Sequence, residues 1–526
     1  MLNKTEGPHS EGRRDVAHII ILTILTAVIG AYLIAATVVI TDDGVDYVRF
    51  SRRLAEAPRD VISRYPAGYL MLIFAGHRIA DFFGAGSSNL SWAVCAQVVS
   101  LVFRVLCFVP LYGIGKVLVG GRRGFLALLI LLLLPYPAHC GSDVTRDWPF
   151  LFFLACGVWL LLKADSVDRW WVLGAVGIVC GLGYVIRIES VQLMGYGIVL
   201  TGVMFFCTKG RVDRAKIVLG GILLVLGFAA SCGWYIAAKK DPMPEKFRKF
   251  FQLSQADVQE QRSVAESKPG RPSFAEYVPE DFVRGSVGYG IIRIAERMGE
   301  NYMYFFAVPF LVGAYLRFGR HHVLRRSEYG VMLFFAVNIA MLVALYRNYG
   351  YVSRRHVMPM TVMGVFFVPD GLEAMGRGIE MVFGRRGGKD KCRVDGQRFW
   401  FVVLLAIGVG ICMPKLLRPL RAEKKAYRVV ARWLQVNTKP TDVILTSDVR
   451  IAFYADRQGI SDVRRDSIPV RATYIVKVYG GRDDSIAPLP RGKLLVEVYS
   501  ASPGKEDKDR KIVVYRITDK NPPAGG

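Results

Sequence analysis

The 526-residue sequence lacks the short motifs that mark several large enzyme classes. It has no Walker lysine loop, no GxSxG turn and no HExxH pair, which argues against a P-loop nucleotidase, an α/β-hydrolase and a zinc peptidase. Histidine is scarce, at seven residues, and no repeat period is apparent, so a solenoid is not expected. Any chemistry must therefore rest on residues outside those motifs.

Cysteine gives no sign of a metal site or of a disulfide framework. The chain has nine cysteines, most of them in or beside apolar runs, and no pair has the spacing of metal ligands. The polar C-terminal region has none. We therefore interpret the cysteines as small buried hydrophobic residues.

Acidic residues are few beside the basic ones, 44 against 69, and the formal net charge is +25. Such a charge can indicate a nucleic-acid partner, but here Arg and Lys punctuate the hydrophobic runs and form no single basic domain. Anionic lipid headgroups and the positive-inside rule explain this distribution better. We therefore expect membrane lipids as partners and no nucleic acid.

The hydrophobic residues make up 52% of the chain and gather in runs of near-bilayer length. About 20 apolar residues span a bilayer as one helix, whereas a soluble chain this apolar would need several domains to bury them. The runs lie at about 17–40, 90–118, 124–140, 148–163, 170–187, 188–207, 216–237, 301–316, 329–346, 357–374 and 399–414. We predict a polytopic α-helical membrane protein with about eleven transmembrane helices.

The charges between the runs predict the orientation of the chain. Arg13-Arg14 resembles a twin-arginine signal, but the run that follows is too long and has no clear cleavage site, so we predict a retained first helix and a cytoplasmic N-terminus. Four of the even-numbered gaps are then cytoplasmic and strongly basic, as the positive-inside rule requires. They are Gly120–Arg123, Lys209–Lys216, Arg317–Arg326 and Arg377–Arg398. The outward gaps are 41–89, Gly141–Asp147, Arg187–Glu189, 238–300 and Tyr346–His356.

Two outward loops are long, and each contains a candidate interfacial helix. Residues 66–74 are apolar but too short to span, and residues 291–304 combine helical apolar spacing with basic side chains. Prolines at 241–244 and 268–272 predict turns or disorder in the second loop.

The composition changes from about residue 421. Residues 426–436 have the pattern of an amphipathic helix, and short runs at 443–446, 474–478, 493–498 and 512–515 have the pattern of strands. We predict a transmembrane domain at 1–416 and a small outward α/β domain at 417–526.

An acidic cluster, Asp42, Asp43 and Asp46, follows the first apolar run directly. Acids at a membrane edge are often only a solvated helix boundary. A carboxylate here could instead take a proton from an acceptor hydroxyl as a general base, or bind a divalent cation through its oxygens. Placement beside the hydrocarbon suggests chemistry on a lipid-carried substrate.

Arginines in two outward gaps are candidates for binding phosphate. Arg64 follows the acidic cluster, and Arg354 and Arg355 precede His356 in the last gap between helices. Their planar guanidinium groups suit phosphate oxygens, although each arginine could instead anchor to lipid headgroups. A lone His beside two cations is more often a hydrogen-bonding or packing residue than an acid or base.

Two further outward gaps carry charge. Asp143, Arg146 and Asp147 crowd a short connection. They could form only a solvated turn with a local ion pair. Alternatively, Asp143 or Asp147 lies beside the first acids and helps to position the acceptor or a metal, and Arg146 could pair with one of them. Arg187 and Glu189 divide a long apolar stretch, and charge there is costly unless it is paired or hydrated. A structural Arg187–Glu189 pair is slightly favoured over contact with substrate.

Five segments, taken in order, resemble the motifs of one enzyme family. Asp42–Leu54 is similar to an acidic pair followed by a Tyr and a short helix, Ser63–Tyr69 to Lys-Pro-Pro-Leu-Tyr, Asp147–Phe153 to the start of the fourth helix, Gly181–Glu189 to Gly-Leu-x-x-x-x-Arg-x-Glu, and Arg355–Pro359 to Arg-Tyr-Leu-x-Pro. The family is the C superfamily of membrane glycosyltransferases, near family 39. It includes protein O-mannosyltransferases, the aminoarabinose transferase acting on lipid A, and bacterial relatives acting on lipopolysaccharide. The resemblance covers about residues 17–375.

The resemblance implies a bacterial inner-membrane enzyme that moves a hexose or pentose from a polyprenyl phosphate to a hydroxyl of a glycan, lipid or protein, with inversion. It implies Asp42 as general base, with Asp43 second, and Arg64, Arg354 and Arg355 as ligands of the leaving phosphate. Supporting or acceptor-binding residues would be Asp46, Asp143, Arg146, Asp147, Arg187, Glu189 and His356. A divalent cation stays an open alternative.

Two other classes of function remain open from the sequence. A transporter or flippase of a lipid-linked glycan would need polar groups along a path through the membrane, whereas most notable charges here gather at one face. A membrane scaffold that binds an envelope partner would explain the C-terminal domain but would leave the outward acids and arginines without a role.

Overall fold

The structure of the protein is a computed structural model that describes residues 8–164, 167–239, 286–319, 326–383, 392–461, 468–469, 471–479, 489, 493–502 and 511–519. The two proline segments that we predict as turns, at 241–244 and 268–272, lie outside these residues.

The described chain is mostly helical. In order, its helices are α1 (Pro8–Ala35), α2 (Asp42–Arg53), α3 (Pro58–Arg64), α4 (Ala67–Phe82), α5 (Asn89–Val119), α6 (Gly121–Leu133), α7 (Pro135–Cys140), α8 (Asp147–Lys163), α9 (Val172–Ile186), α10 (Gln192–Cys207), α11 (Arg211–Ala238), α12 (Val287–Asn301), α13 (Ala307–Phe318), α14 (Arg326–Tyr349), α15 (Met358–Gly364), α16 (Val368–Phe383), α17 (Cys392–Leu416), α18 (Lys425–Asn437) and α19 (Val449–Tyr454). A 3-10 turn, Ile188–Val191, joins α9 to α10.

Each of the eleven apolar runs is helical over most of its length, which confirms the polytopic α-helical class. Within the described residues, six helices are long and apolar enough to cross a membrane: Gly12–Ala35, Asn89–Val119, Ile188–Cys207, Arg211–Ala238, Ser327–Tyr349 and Arg398–Leu416. Helices α9 and α13 are shorter but apolar. Val16, Ile20, Ile24 and Val28 form an exposed apolar stripe on α1, as expected of a helix that faces lipid.

Close helix packing explains the glycine-rich stretch of α9. A Cβ on Gly177 would lie 2.1 Å from the carbonyl oxygen of Leu224, and one on Gly181 would lie 2.0 Å from the hydroxyl of Ser231, both on α11. Larger residues would push the two helices apart, so these glycines serve helix packing.

Two predicted spans differ from the structure. The run at 124–140 is broken between α6 and α7, because Pro135 has no N–H to donate and its ring clashes with a helical carbonyl four residues earlier. The run at 17–40 leaves the helix after Ala35. There the N–H of Val38 donates to the carbonyl of Leu420, and Ile40 donates to the hydroxyl of Tyr454. Contact with the C-terminal region thus replaces the last helical turn.

The C-terminal region forms a five-stranded sheet in the order β2-β1-β3-β5-β4. Its strands are β1 (Val443–Thr446), β2 (Gln458–Ser461), β3 (Tyr474–Val478), β4 (Lys493–Ala501) and β5 (Ile512–Asp519). β1 pairs in parallel with β2 and β3, whereas β5 pairs antiparallel with β3 and β4. Helices α18 and α19 pack on one sheet face in a shared apolar core. The predicted helix and four strands are present, while β2 and α19 escaped prediction.

Helix α19 attaches this sheet to the membrane helices. Phe453 belongs to the same buried apolar cluster as the membrane helices. Asn89, the first residue of α5, donates its amide side chain to the carbonyl of Phe453 at 2.9 Å and its N–H to Asp456 at 2.8 Å. The two parts therefore share a packed and hydrogen-bonded boundary, at which α19 contacts α2 and the start of α5.

Candidate functional site

Helix α2 carries the acidic cluster at its N-terminus. The hydroxyl of Thr41 accepts a hydrogen bond from the N–H of Gly44 at 2.9 Å, which caps the helix. Asp42 and Asp43 occupy the first turn, where the helix dipole favours negative charge, and Arg52 and Arg53 occupy the last. The sequence thus starts and stops this helix by local rules, and holds both acids at the mouth of the bundle.

An open pocket lies along one face of α2. Its volume is about 480 Å³ including the mouth, and the residues that line it are Asp43, Asp46, Tyr47, Phe50, Tyr65, Pro66 and Leu70. The first four recur at the three- and four-residue spacing of one helix face. The rings of Phe50 and Tyr65 stack at 3.8 Å. Two carboxylates and an aromatic wall therefore meet in one concavity.

A chain of alternating charges leads from this pocket into the protein. It consists of Asp43, Arg355, Asp147, Arg187 and Glu189, which we call the charge network. Arg355 donates to Asp43 and to Asp147 at 2.9 Å each, and Arg187 lies 2.7 Å from Asp147 and 3.1 Å from Glu189. The side chain of Asp147 is 1% exposed and that of Asp43 is 61% exposed. The network therefore joins a buried carboxylate to a pocket carboxylate through a single guanidinium group.

Electrostatics hold the pocket end of the network in a defined charge state. Asp147, opposed by burial, raises the pKa of Arg355, so this side chain stays cationic. Burial raises the pKa of Asp46; nearby Arg49 lowers it, and the neighbouring acids of α2 raise it further. A carboxylate with a raised pKa is a stronger base than an ordinary surface aspartate.

The two acids of the Gly141–Asp147 connection have different partners. Asp143 pairs with Arg421 at 2.5 Å and accepts the N–H groups of Thr41 and Val144. Asp147 belongs to the charge network. Among the described residues Arg146 makes no ion pair with either acid, so the expected pairing is wrong: Arg421, Arg355 and Arg187 already fill those positions.

Three other predicted residues lie at the edge of the pocket or outside it. Asp42 does not line it and lies within electrostatic reach of Arg450 from the C-terminal sheet domain. Arg64 is 69% exposed and pairs with Asp60 at 2.7 Å, one residue before Tyr65 of the pocket wall. Arg354 turns away from Arg355.

Arg354 and His356 are bound to their own surroundings. Arg354 donates to the side chain of Asn301 at 3.1 Å, and its guanidinium lies 4.0 Å from the ring of Tyr136. Burial, with Arg187, lowers the pKa of His356 to about 4. The neutral ring accepts a hydrogen bond at Nδ1 from the N–H of Ser353. The paired Arg187 and Glu189 agree with the structural alternative favoured by the sequence.

Within the described residues, no group of three His, Cys, Asp or Glu side chains is arranged to hold a metal ion. The structure instead adds aromatic residues and partners that the sequence reading left aside: Phe50, Tyr65, Arg421 and Arg450. The spacing of Phe50 from Asp43 on one helix was a usable signal. The contacts of Arg421 and Arg450 join chain segments that are far apart, and no local sequence signal predicts them.

Comparisons with known proteins agree with this architecture. A family model described as dolichyl-phosphate-mannose-protein mannosyltransferase matches residues 80–234. ArnT from Cupriavidus metallidurans in the apo state is similar at 13% identity and a TM-score of 0.55, covering 94% of this chain and 97% of that one. The same protein bound to undecaprenyl phosphate gives a TM-score of 0.54 at 13% identity, with the same coverage.

An archaeal protein shares the fold as well. The oligosaccharyltransferase AglB from Archaeoglobus fulgidus, in complex with an inhibitory peptide and a dolichol-phosphate, is 12% identical with a TM-score of 0.52. The match covers 88% of this chain and 69% of that one. No curated protein sequence matches the chain. The chain therefore shares its fold with these solved ArnT and oligosaccharyltransferase structures.

Proposed function

We propose that the protein is a glycosyltransferase that moves a sugar from a polyprenyl-phosphate donor to an acceptor hydroxyl at the outer face of a bacterial inner membrane, with inversion. One observation carries the proposal: Arg355 links the pocket carboxylate Asp43 to the buried Asp147. A base and a cation that suits phosphate thereby meet at the mouth of a membrane-embedded bundle.

The pocket favours Asp43 over Asp42 as the general base, which reverses the order taken from the sequence. Asp43 lines the pocket, whereas Asp42 does not. Asp46 lines the same pocket and is positioned to accept a hydrogen bond from the acceptor or the sugar.

The reaction is a single displacement at the anomeric carbon. Asp43 accepts the proton of the acceptor hydroxyl while the oxygen of that hydroxyl forms the new glycosidic bond with the anomeric carbon. The bond from the anomeric carbon to the phosphate oxygen breaks, and the electron pair leaves with the polyprenyl phosphate. Attack from the side opposite the leaving group inverts the anomeric centre.

The developing negative charge on the phosphate is stabilised by arginine. Among the described residues Nη2 of Arg355 has no hydrogen bond, since Nε and Nη1 serve Asp147 and Asp43. Arg64 at the pocket rim is exposed enough to turn toward a phosphate. A preorganised cation in a site of low dielectric stabilises such charge far more than water does.

The pocket wall suits a sugar. Tyr47, Phe50 and Tyr65 offer aromatic surface for the C–H faces of a pyranose or furanose ring, and Asp43 and Asp46 accept hydrogen bonds from its hydroxyls. The solved relatives support the lipid carrier, because ArnT was bound to undecaprenyl phosphate and AglB to a dolichol-phosphate. The acceptor is a glycan, a lipid or a protein.

The test uses purified protein in liposomes with polyprenyl-phosphate hexose and pentose donors and a panel of acceptors. We expect Asp43→Asn to lower the transfer rate by at least about 100-fold, the usual contribution of a general base, and Asp42→Asn to lower it by less than about 10-fold. The exposed Asp81→Asn is the matched control and should match wild type. Full transfer by the Asp43 variant would overturn the base assignment. Movement of the labelled lipid between leaflets without any transfer would instead establish a flippase.

A further inference from the structure

A fully buried arginine lies in the middle of the apolar helix α5. The side chain of Arg104 is 0% exposed, and no carboxylate lies within ion-pair distance of it among the described residues. Its guanidinium carbon is 5.7 Å from the ring centre of Trp148. A cation in a membrane-spanning segment is costly, so its presence calls for specific partners and marks a candidate for function.

The partners of Arg104 are backbone carbonyls on both sides of a broken helix. Its two terminal nitrogens donate to the carbonyl oxygens of Leu132 in α6 and Ala138 in α7, at 3.3 Å each. Pro135 separates these two short helices. Carbonyls at helix C-termini carry partial negative charge, so a cation there is favourable. The carbonyl of Ala138 also accepts the N–H of Gly141 and the hydroxyl of Ser142.

Arg104 is one of three polar residues on the same face of α5. Gln97 donates to the carbonyl of Ser142 at 2.9 Å, and Ser100 donates to the carbonyl of Thr145 at 3.1 Å. The spacing of three and four residues places Gln97, Ser100 and Arg104 in one line, which we call the polar seam. All three are buried.

The polar seam holds the segment that ends at Asp147. Its acceptors run from α6 to Thr145, two residues before the buried acid of the charge network. The fit is tight at Gly141, where an added Cβ would lie 2.2 Å from Cδ of Arg104 and 2.8 Å from Nε1 of Trp148. The same Trp148 nitrogen donates to the carbonyl of Pro137, which fixes the beginning of α8.

We propose that Arg104 is a positioning residue for sugar transfer. Through the polar seam it fixes the connection from α6 to α8, and so sets the place of Asp147, which in turn orients Arg355 toward Asp43 and the donor phosphate. The expected effect on sugar transfer rests on the proposed function. The expected order in the segment 138–147 does not rest on the proposed function.

The kinetic test compares Arg104→Met, Arg104→Lys and the lipid-facing control Val102→Ala on the same helix, all as full-length protein in liposomes. We expect Arg104→Met to lower kcat by about 10- to 100-fold, since displacements of about 1 Å cost that much, while the donor KM changes less than about twofold. Lys donates to the same carbonyls and should restore part of kcat. Wild-type kcat in Arg104→Met would overturn the proposal.

Hydrogen exchange supplies a readout that needs no activity. Amides of residues 138–147 should exchange faster in Arg104→Met than in wild type, while those of 211–238 should not change. Uniformly faster exchange throughout the bundle would show a merely structural role and overturn the proposal. If that variant does not fold, Gln97→Leu replaces it, with the same expected pattern and a smaller loss of kcat; an unchanged pattern there would also overturn it. If wild type itself transfers no sugar, the proposed function fails and the exchange result still decides on the polar seam.

Discussion

Asp143 and Asp147 lie four residues apart in one connection between helices, and the structure uses them differently. Both are buried, and each binds an arginine within 2.9 Å. Asp143 binds Arg421, just before the C-terminal sheet domain, whereas Asp147 binds Arg355 and Arg187 beside the pocket. Burial and residue type alone therefore do not separate a structural carboxylate from one that serves a site; the location of the partner does.

The remaining contacts of the two acids explain the difference. One oxygen of Asp143 accepts two backbone N–H groups, from Thr41 and Val144, and the other binds Arg421. Both oxygens of Asp143 therefore bind groups of the protein itself. Both oxygens of Asp147 bind arginines, and Arg355 continues to the exposed Asp43. We expect Asp143 to hold two parts of the chain together and Asp147 to control the charge at the pocket.

The largest effect should come from Asp147→Asn. It removes the carboxylate charge that Arg187 and Arg355 share, so that they keep only Glu189 and Asp43 as partners. Loss of these buried ion pairs costs about 3 kcal/mol or more of unfolding free energy. Arg355 would then shift toward Asp43, and we expect sugar transfer to fall by at least about 100-fold. Initial rates in liposomes measure this, with Asp81→Asn as control. Transfer within a factor of two of wild type would show that Asp147 does not serve the site.

A second and smaller effect should follow from Asp143→Asn. The amide oxygen still accepts the backbone hydrogen bonds, but the amide NH2 group then faces the guanidinium group of Arg421. Two hydrogen-bond donors facing each other cost about 2 kcal/mol. We expect looser docking of the C-terminal domain, seen as faster proteolysis within 417–424, and a loss of transfer below about 10-fold. Arg421→Gln should show the same proteolysis pattern. A loss of transfer as large as that of Asp147→Asn would show that the two acids do not divide their roles.

The smallest effect concerns His356, beside Arg355 on the Asp147 side. Its folded pKa of about 4 lies below the ordinary value of 6.5, so the unfolded chain binds the proton first as pH falls. Stability contributed by the neutral folded ring is therefore complete above about pH 6.5 and is lost between there and about pH 4, by at most about 1.4 kcal/mol per pH unit.

Unfolding midpoints between pH 7 and pH 4 test this effect. His356→Gln should show a shallower fall than wild type. Equal slopes in wild type and His356→Gln would show that the Asp147 side tolerates a further positive charge.

Much of the site could be predicted because its residues stand at the ends of apolar runs. Asp43, Asp147, Arg187, Glu189 and Arg355 were all expected on one side, and all five join the charge network. The pairing itself was not predictable. Arg355 lies 312 residues from Asp43 and 208 from Asp147, and the sequence offered Arg64 and Arg354 as equal alternatives.

The omissions have a common cause. Arg104 sits within an apolar run whose average hydropathy hides one charge, and α19 is a six-residue helix too short to show a period. Arg421 adopts a left-handed conformation, with φ of 57°, between the last membrane helix and the sheet domain. Each acts through a partner that is distant in the chain, and no local pattern encodes such a partner.

The sequence by itself determined that this chain is a bundle of membrane helices with a small α/β domain, because run length, periodicity and capping are local properties. It also determined which ends of those helices carry acids and arginines. Only the tertiary structure decided that Asp43 shares a pocket with Asp46, that Arg355 and not Arg354 binds Asp147, and that Asp143 faces Arg421. The two arginine pairings follow from distances of a few ångströms between segments hundreds of residues apart, which helix packing sets.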